Sequence, residues 1–362
     1  MGVKSAQKSN IKLFLSAAVV GVSGCLGVGF VSGAEAKVFF ADRRALLVFC
    51  VTYAASLFVF RVYASRCGAQ TSTELVHSLP KKFGAVACRV LTICGLMTCI
   101  AVCSGAAECL DYLFGTNLSV LHCVPICLAV CFVGGKNGGV KIVSAVAVFA
   151  CLVWLVVCFV ASRLSGCADI FQNFAQTVAK LEVVPANNRP FGAFVSTFYR
   201  IFVLPTAYAL FSAVTSLSVQ CKTCNGYFSV AKNAAVSLIS AALTAFCVFV
   251  VCITANFAQN LPLLALSNGT VFKLVAVVCV ETCAVSCVSS NVIGVCEMLL
   301  PLVSDKTLRN LLIFLTILLL SPFRFDKVMT AVYFFVAFVG IVLLLFLAKS
   351  LTTKSAFTSK IR

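Results

Sequence analysis

Residues 21–35 read Gly21-Val22-Ser23-Gly24-Cys25-Leu26-Gly27-Val28-Gly29-Phe30-Val31-Ser32-Gly33-Ala34-Glu35. Five glycines fall in the middle and outer half of an apolar run that begins near residue 11. Each glycine in a helix interior costs about 1 kcal/mol relative to alanine. The run is long enough to cross a bilayer core, yet it does not read as an undisturbed helix. Either the helix unwinds there, or its glycines let a neighbour approach closely, as small residues do at membrane helix interfaces. Irregular backbone at membrane depth is tolerated only where it is buried in protein or lines a cavity. Unwinding would therefore mark the interior of a bundle.

The remainder of the chain supplies that bundle. Of 362 residues, 61% are apolar and 11% charged, against about 25% charged in soluble domains, which excludes a water-soluble globule. Reading by apolar length places ten spans at about 11–33, 44–63, 84–114, 119–134, 140–162, 194–219, 230–256, 271–299, 308–320 and 328–348. Strand-like alternation is absent across them, which excludes an outer-membrane barrel. The expected fold class is an all-α polytopic membrane protein of about ten transmembrane helices. The first apolar stretch lacks a small-residue cleavage site and reads as a retained span.

Net charge is +17. The basic residues sit mostly in the joints between spans, where they control topology, so no nucleic-acid partner is expected; the partner is the lipid bilayer. With the N-terminus inside, eighteen Lys and Arg fall on the inner side and nine on the outer. That count predicts a multi-pass protein of the plasma membrane with both termini cytoplasmic. The outer joint at about 163–193 is too polar to span, but Ile170, Phe171, Phe174, Val178 and Leu181 recur at helical spacing, as in an interfacial amphipathic helix.

The sixth span carries Pro205 followed by Thr206, Tyr208, Ser212, Thr215 and Ser216, again a helix breaker beside mid-membrane hydroxyls. Spans one and six are the first members of two five-helix halves, expected at 1–165 and 166–362 and together forming one membrane domain. Interrupted helices at matching positions of two halves point to a transporter's central site.

These residues also carry a family resemblance. Gly27-Val28-Gly29-Phe30-Val31-Ser32-Gly33-Ala34-Glu35, followed by Phe39-Phe40, resembles the GAGFASGQE…FF signature of YkvI-type bacterial membrane proteins. Ser104-Gly105-Ala106-Ala107-Glu108, Tyr208-Ala209-Leu210-Phe211-Ser212, Thr282-Cys283-Ala284-Val285 and Ser321-Pro322-Phe323-Arg324-Phe325 are similar in place. Those proteins belong to the amino acid–polyamine–organocation superfamily, so the resemblance implies a LeuT-like 5+5 inverted repeat with helices 1 and 6 interrupted. It further implies a substrate pocket shaped by Val28, Gly29, Phe30, Ser32, Tyr208, Phe211 and Ser212, with half-helix amides receiving a carboxylate. A sodium site would lie between carbonyls of residues 22–27, with Gly24 and Gly27, and Thr282 and Ser286 on span eight. The chain departs from the family pattern at Ala34, Ser212 and Cys283. The last replaces a hydroxyl by sulfur, which suits a hard cation poorly.

Charges inside spans are functional candidates because burying them is costly. Glu281, mid-span beside Thr282, is expected to ligate the coupling cation, to carry a proton itself, or to be hydrogen-bonded or paired with Lys273 within the bundle. Glu35, Glu108 and Asp111 lie near outer span ends; Glu35 is expected either as part of an outer gate with Arg200 or as a solvated rim charge. His77 and His122 have no acid or thiol neighbour at ligand spacing, and Cys221 and Cys224 stand without a second pair. Most of the 22 cysteines sit in apolar runs, where they act as small hydrophobes. No metal is expected beyond the sodium site, no cofactor besides a sodium or proton coupling ion, and no Walker A, GxSxG or HExxH motif marks an enzyme. The reading is a secondary transporter of a small organic solute, an amino acid or relative, by cation-coupled alternating access. The alternative is a non-transporting LeuT-like sensor or structural component.

Overall fold

The computed structural model describes residues 2–40, 42, 44–133, 139–164, 195–223, 229–255, 261–266, 269–320 and 325–352. The expected interfacial helix at 163–193 and the Ser321–Arg324 stretch lie almost wholly outside them. Seven helices are long and apolar enough to cross a membrane: Arg44–Cys67, Lys82–Phe114, Gly139–Ser162, Val195–Thr215, Val230–Thr254, Thr270–Leu299 and Ala331–Thr352. Three more expected spans carry shorter or broken helices, so the chain is an all-helical multi-pass membrane protein.

The first span is three pieces: α1 (Gly2–Ser23), α2 (Val28–Ser32) and α3 (Ala34–Phe39). It fails where the glycines crowd. Gly24 still donates to the Val20 carbonyl, but Cys25 donates to Val22 and Gly27 to Cys25, so the bonds shorten in register and the helix stops. It resumes when Val31 donates to Gly27. Gly33, at φ +80, separates α2 from α3 in a left-handed conformation that residues with a Cβ avoid. A Cβ there would also meet the Leu263 amide nitrogen at 3.2 Å.

The long helices α4 (Arg44–Cys67), α6 (Lys81–Phe114) and α8 (Gly139–Leu164) follow, with the short α5 (Ser72–His77) and α7 (Ser119–Val133) between them. The sixth span corrects the sequence reading. Pro205 does not break it: a π-turn over Tyr199–Val203 leads directly into α9 (Leu204–Thr215), so the helix runs on from Val195 to Thr215 and the wider turn before the proline accommodates its missing N–H. The discontinuity lies further on, at Ser216, where α9 passes into α10 (Leu217–Thr223). Then come α11 (Val230–Thr254), α12 (Thr270–Leu299), α13 (Lys306–Leu320) and α14 (Phe325–Thr352).

Helix α12 packs against α6 and α8, α11 against α4 and α1, and α9 against α14 and α4. The broken first span is held by donors from its neighbours. Tyr53 of α4 donates to the Gly21 carbonyl at 2.5 Å, Ser240 of α11 to Ala18 at 3.2 Å, and Trp154 of α8 to Val31 at 3.0 Å. Trp154 is fully buried. Trp154→Phe should therefore destabilise the protein by about 2–4 kcal/mol, from the orphaned carbonyl and the void left by the smaller ring. Equilibrium unfolding measures this, and an unchanged midpoint would refute the pinning role.

Candidate functional site

The helix break places α2 and α3 so that Glu35 turns inward, which corrects its expected place at an outer gate or rim. It is only 4% exposed. The Tyr333 hydroxyl of α14 donates to Oε1, and the Tyr208 hydroxyl of α9 lies 2.6 Å from Oε2. Tyrosines occupy both oxygens, so Arg200, on the π-turn, is not the partner of Glu35. A buried carboxylate needs donors in place of water, and the fold supplies phenols. The same Tyr208 oxygen lies 2.9 Å from the Cys25 carbonyl in the broken segment. Gly29 makes room, since a Cβ there would come 2.7 Å from the Glu35 carboxyl carbon.

Aromatic rings close over this cluster. Phe211 stacks on Tyr333 at 3.9 Å between centroids, and Phe39 lies 4.9 Å from Tyr333 and 5.3 Å from Tyr208. Of the residues expected to shape a pocket, Val28, Gly29, Phe30 and Ser32 are buried in α2, and Tyr208, Phe211 and Ser212 are buried in α9. Of these, Gly29 and Tyr208 meet at Glu35, and Phe211 joins them through Tyr333. Ser32 spends its hydroxyl on the Gly29 carbonyl, and the Ser212 carbonyl accepts from Thr215 and Ser216. Tyr333, the second donor to Glu35, was not among the expected site residues. It lies about 300 residues away in sequence, with no local motif to mark it.

A second cluster lies at the break. Val20, Ser23, Gly24, Thr215, Ser216, Val219, Ser286, Cys287 and Ser290 surround a void of about 10 Å³, close to the size of one water. Of the residues expected to hold the coupling ion, Gly24 and Ser286 line this void and Thr282 and Glu281 do not. The Thr282 hydroxyl donates to Val278 and Cys279 of its own helix. Glu281 is half-buried on the same side of α12 as the exposed Leu274 and Val278, and makes no ion pair among the described residues, with Lys273 or otherwise. Each four-residue step turns a helix about 40° further, which carries Ser286 and Ser290 round to the break while Thr282 faces away. Gly27 caps the start of α2 beside Glu35 rather than lining the void.

Other polar residues have structural partners. Asp111 accepts from Thr116 and from the Leu118 amide, and approaches His122 at 3.3 Å, so that histidine has an acidic neighbour that sequence spacing concealed. Arg61, 1% exposed, donates from α4 to Gln220 and Thr223 of α10. Glu297 of α12 pairs with Lys222 of α10 at 3.1 Å. Cys151, Cys279 and Cys283 gather three buried sulfurs within 4.8 Å of one another between α8 and α12. All three are free thiols.

No family model matches the chain, and no curated protein matches it. Solved structures do. A Na+-coupled sialic acid symporter, in a substrate-bound outward-open state, superposes with a TM-score of 0.62 at 14% identity, over 92% of this chain and 74% of that one. A manganese transporter from Eremococcus coleocola, in complex with an aromatic bis-isothiourea substituted compound, aligns over 97% of this chain and 78% of that one, at TM-score 0.50 and 16% identity. What is shared at this identity is the fold, and the fold of this chain is the LeuT-like arrangement of about ten membrane helices with its first and sixth spans interrupted.

Proposed function

We propose that this protein is a secondary active transporter that moves a small organic solute across the plasma membrane by cation-coupled alternating access. The observation that carries the reading is the broken α1–α2 segment, faced by Ser216 at the α9–α10 junction and by Ser286 and Ser290 of α12, and closed over by Glu35 with its two tyrosines. Interrupted helices facing each other inside a bundle are the usual seat of a transported solute. The signature shared with YkvI-type proteins supports the same class, with an amino acid or relative as the solute. Val28, Gly29, Phe30, Ser32, Tyr208, Phe211 and Ser212 would line its site. The positive-inside count supports cytoplasmic termini.

Two coupling ions have separate support. A sodium ion fits oxygen ligands of the kind that Ser286 and Ser290 offer beside Gly24, and the sialic acid symporter is Na+-coupled. A proton fits Glu35. Three contacts, Tyr333 to Oε1, Tyr208 to Oε2 and Tyr208 to the Cys25 carbonyl, share two phenolic hydrogens. The count closes when the carboxyl supplies the third.

The test is a thermal-stability screen of the purified protein against amino acids and small organic solutes, with and without sodium and at two pH values, followed by flux in proteoliposomes under an imposed gradient. A ligand of the native state raises the melting temperature by mass action. Binding without flux would convert the reading to a sensor, and no binding and no flux would overturn it. If sodium is the coupling ion, Ser290→Ala should weaken the sodium-dependent shift about tenfold, about 1.4 kcal/mol. Thr282→Ala, whose side chain does not line the void, should leave it unchanged.

A further inference from the structure

A cavity of about 210 Å³ lies between α7, α8, α10, α12 and α13, apart from the sealed cluster around Glu35. We infer that it binds a small amphiphilic anion: one carboxylate or phosphate monoester head on a short apolar body. Four cationic side chains line it, Lys141 from α8, Lys222 from α10, and Lys306 and Arg309 from α13, against one carboxylate, Glu297. Glu297 is already matched to Lys222 at 3.1 Å. Among the described residues no carboxylate pairs with Lys141, Lys306 or Arg309.

Arg309 is the strongest sign of a built site. It is only 8% exposed; one Nη donates to the Val303 carbonyl at 2.9 Å, while Nε is buried with no partner. A buried charge without a counter-ion costs several kcal/mol, and an anion in the cavity offsets that cost. The positive-inside rule accounts for cations at this end of the bundle, but not for a guanidinium drawn into an apolar wall. That wall is formed by Val130, Val288, Val292, Ile313, Phe314 and Ile317. It receives a hydrocarbon body, and the volume, below the roughly 300–1,000 Å³ of drug-sized pockets, keeps that body short. A cationic head would meet like charge.

Val219 borders both this cavity and the small void beside Gly24. One side chain therefore stands between the anion and the break in α1. The inference is of a binding site separate from the proposed solute site of α2 and α9, and it does not rest on the transport reading.

Cys127 and Cys296 line the cavity and report on it directly. The experiment follows modification of Cys296 by mass spectrometry in the full chain, reconstituted in neutral phosphatidylcholine, using an anionic and a cationic thiosulfonate of equal size. A cleft of one charge sign raises the encounter rate of counter-ions by about 10-fold or more. The anionic reagent should therefore react about tenfold faster, with the ratio falling towards one in Arg309→Gln. If Arg309→Gln does not fold, Lys141→Gln at the half-exposed rim should still lower the ratio. Octanoate should protect Cys296, while octanol and octylamine should not. Repeating the measurement in phosphatidylglycerol without octanoate tests the competing occupant: protection there would mean that an anionic diester lipid fills the cavity and would overturn the short-bodied anion, whereas protection by octanoate alone supports it. Equal rates for the two reagents, or no protection in either arm, would overturn the inference whether or not the protein proves to transport.

Discussion

Glu35→Ala should lower the stability of this protein by about 2–4 kcal/mol, because it leaves a buried phenol without an acceptor and a void where the carboxylate was. Tyr333 bears the larger loss. Tyr208 retains the Cys25 carbonyl as an alternative acceptor at 2.9 Å, whereas among the described residues Tyr333 has only Oε1 of Glu35. Glu35→Gln keeps the volume and one carbonyl oxygen, so it should restore most of the stability. It cannot exchange a proton, and any pH-dependent ligand response should vanish with it. Unfolding midpoints for the two variants, with ligand shifts at two pH values, separate the structural role of Glu35 from the coupling role. If Glu35→Gln kept a normal pH response, coupling would have to reside elsewhere; if Glu35→Ala kept wild-type stability, the tyrosine contacts would carry no net energy.

The second large effect concerns the contact between the two interrupted spans. A Cβ on Gly24 would come 2.7 Å from the Ser216 Cβ and 3.3 Å from the Ser212 carbonyl oxygen. The first spacing is far inside contact distance, and one of the offending atoms is backbone-proximal, so the helices must part. Overpacking of this kind costs about 1–3 kcal/mol, and it should also abolish ligand binding by prising α1 from the α9–α10 junction. Ser216→Gly removes the nearer clash. The double variant Gly24→Ala/Ser216→Gly should therefore regain stability relative to Gly24→Ala alone, a coupling that a double-mutant cycle reads directly. Simple additivity of the two changes would show that the helices are not in contact at this point.

Much of the molecule was legible before any coordinates. Burial of the backbone in lipid demands long apolar helices, so hydropathy alone located the spans, and the glycine run from Gly21 to Gly33 marked where the first must fail. Pro205 misled for a physical reason: the π-turn immediately before it accommodates the missing N–H, and the helix runs on. The discontinuity fell instead at Ser216, among the hydroxyl residues that follow the proline, whose side chains bond back to the Ser212 carbonyl. Thr282 and Glu281 were chosen by spacing along the chain, yet the rotation of α12 turns Ser286 and Ser290 to the break.

The sequence by itself determined the class of fold and which span would unwind, since both follow from residue types read along one helix at a time. The partners of each charge were decided only by tertiary structure. Glu35 could be read as a gate or rim charge until Tyr208 and Tyr333, from two other helices, were seen to enclose it. Glu297 finds its counter-charge only because α10 brings Lys222 to it. A buried charge is stabilised by whatever donors or counter-charges reach it in space, and in a bundle of ten helices those come from segments whose separation along the chain carries no signal.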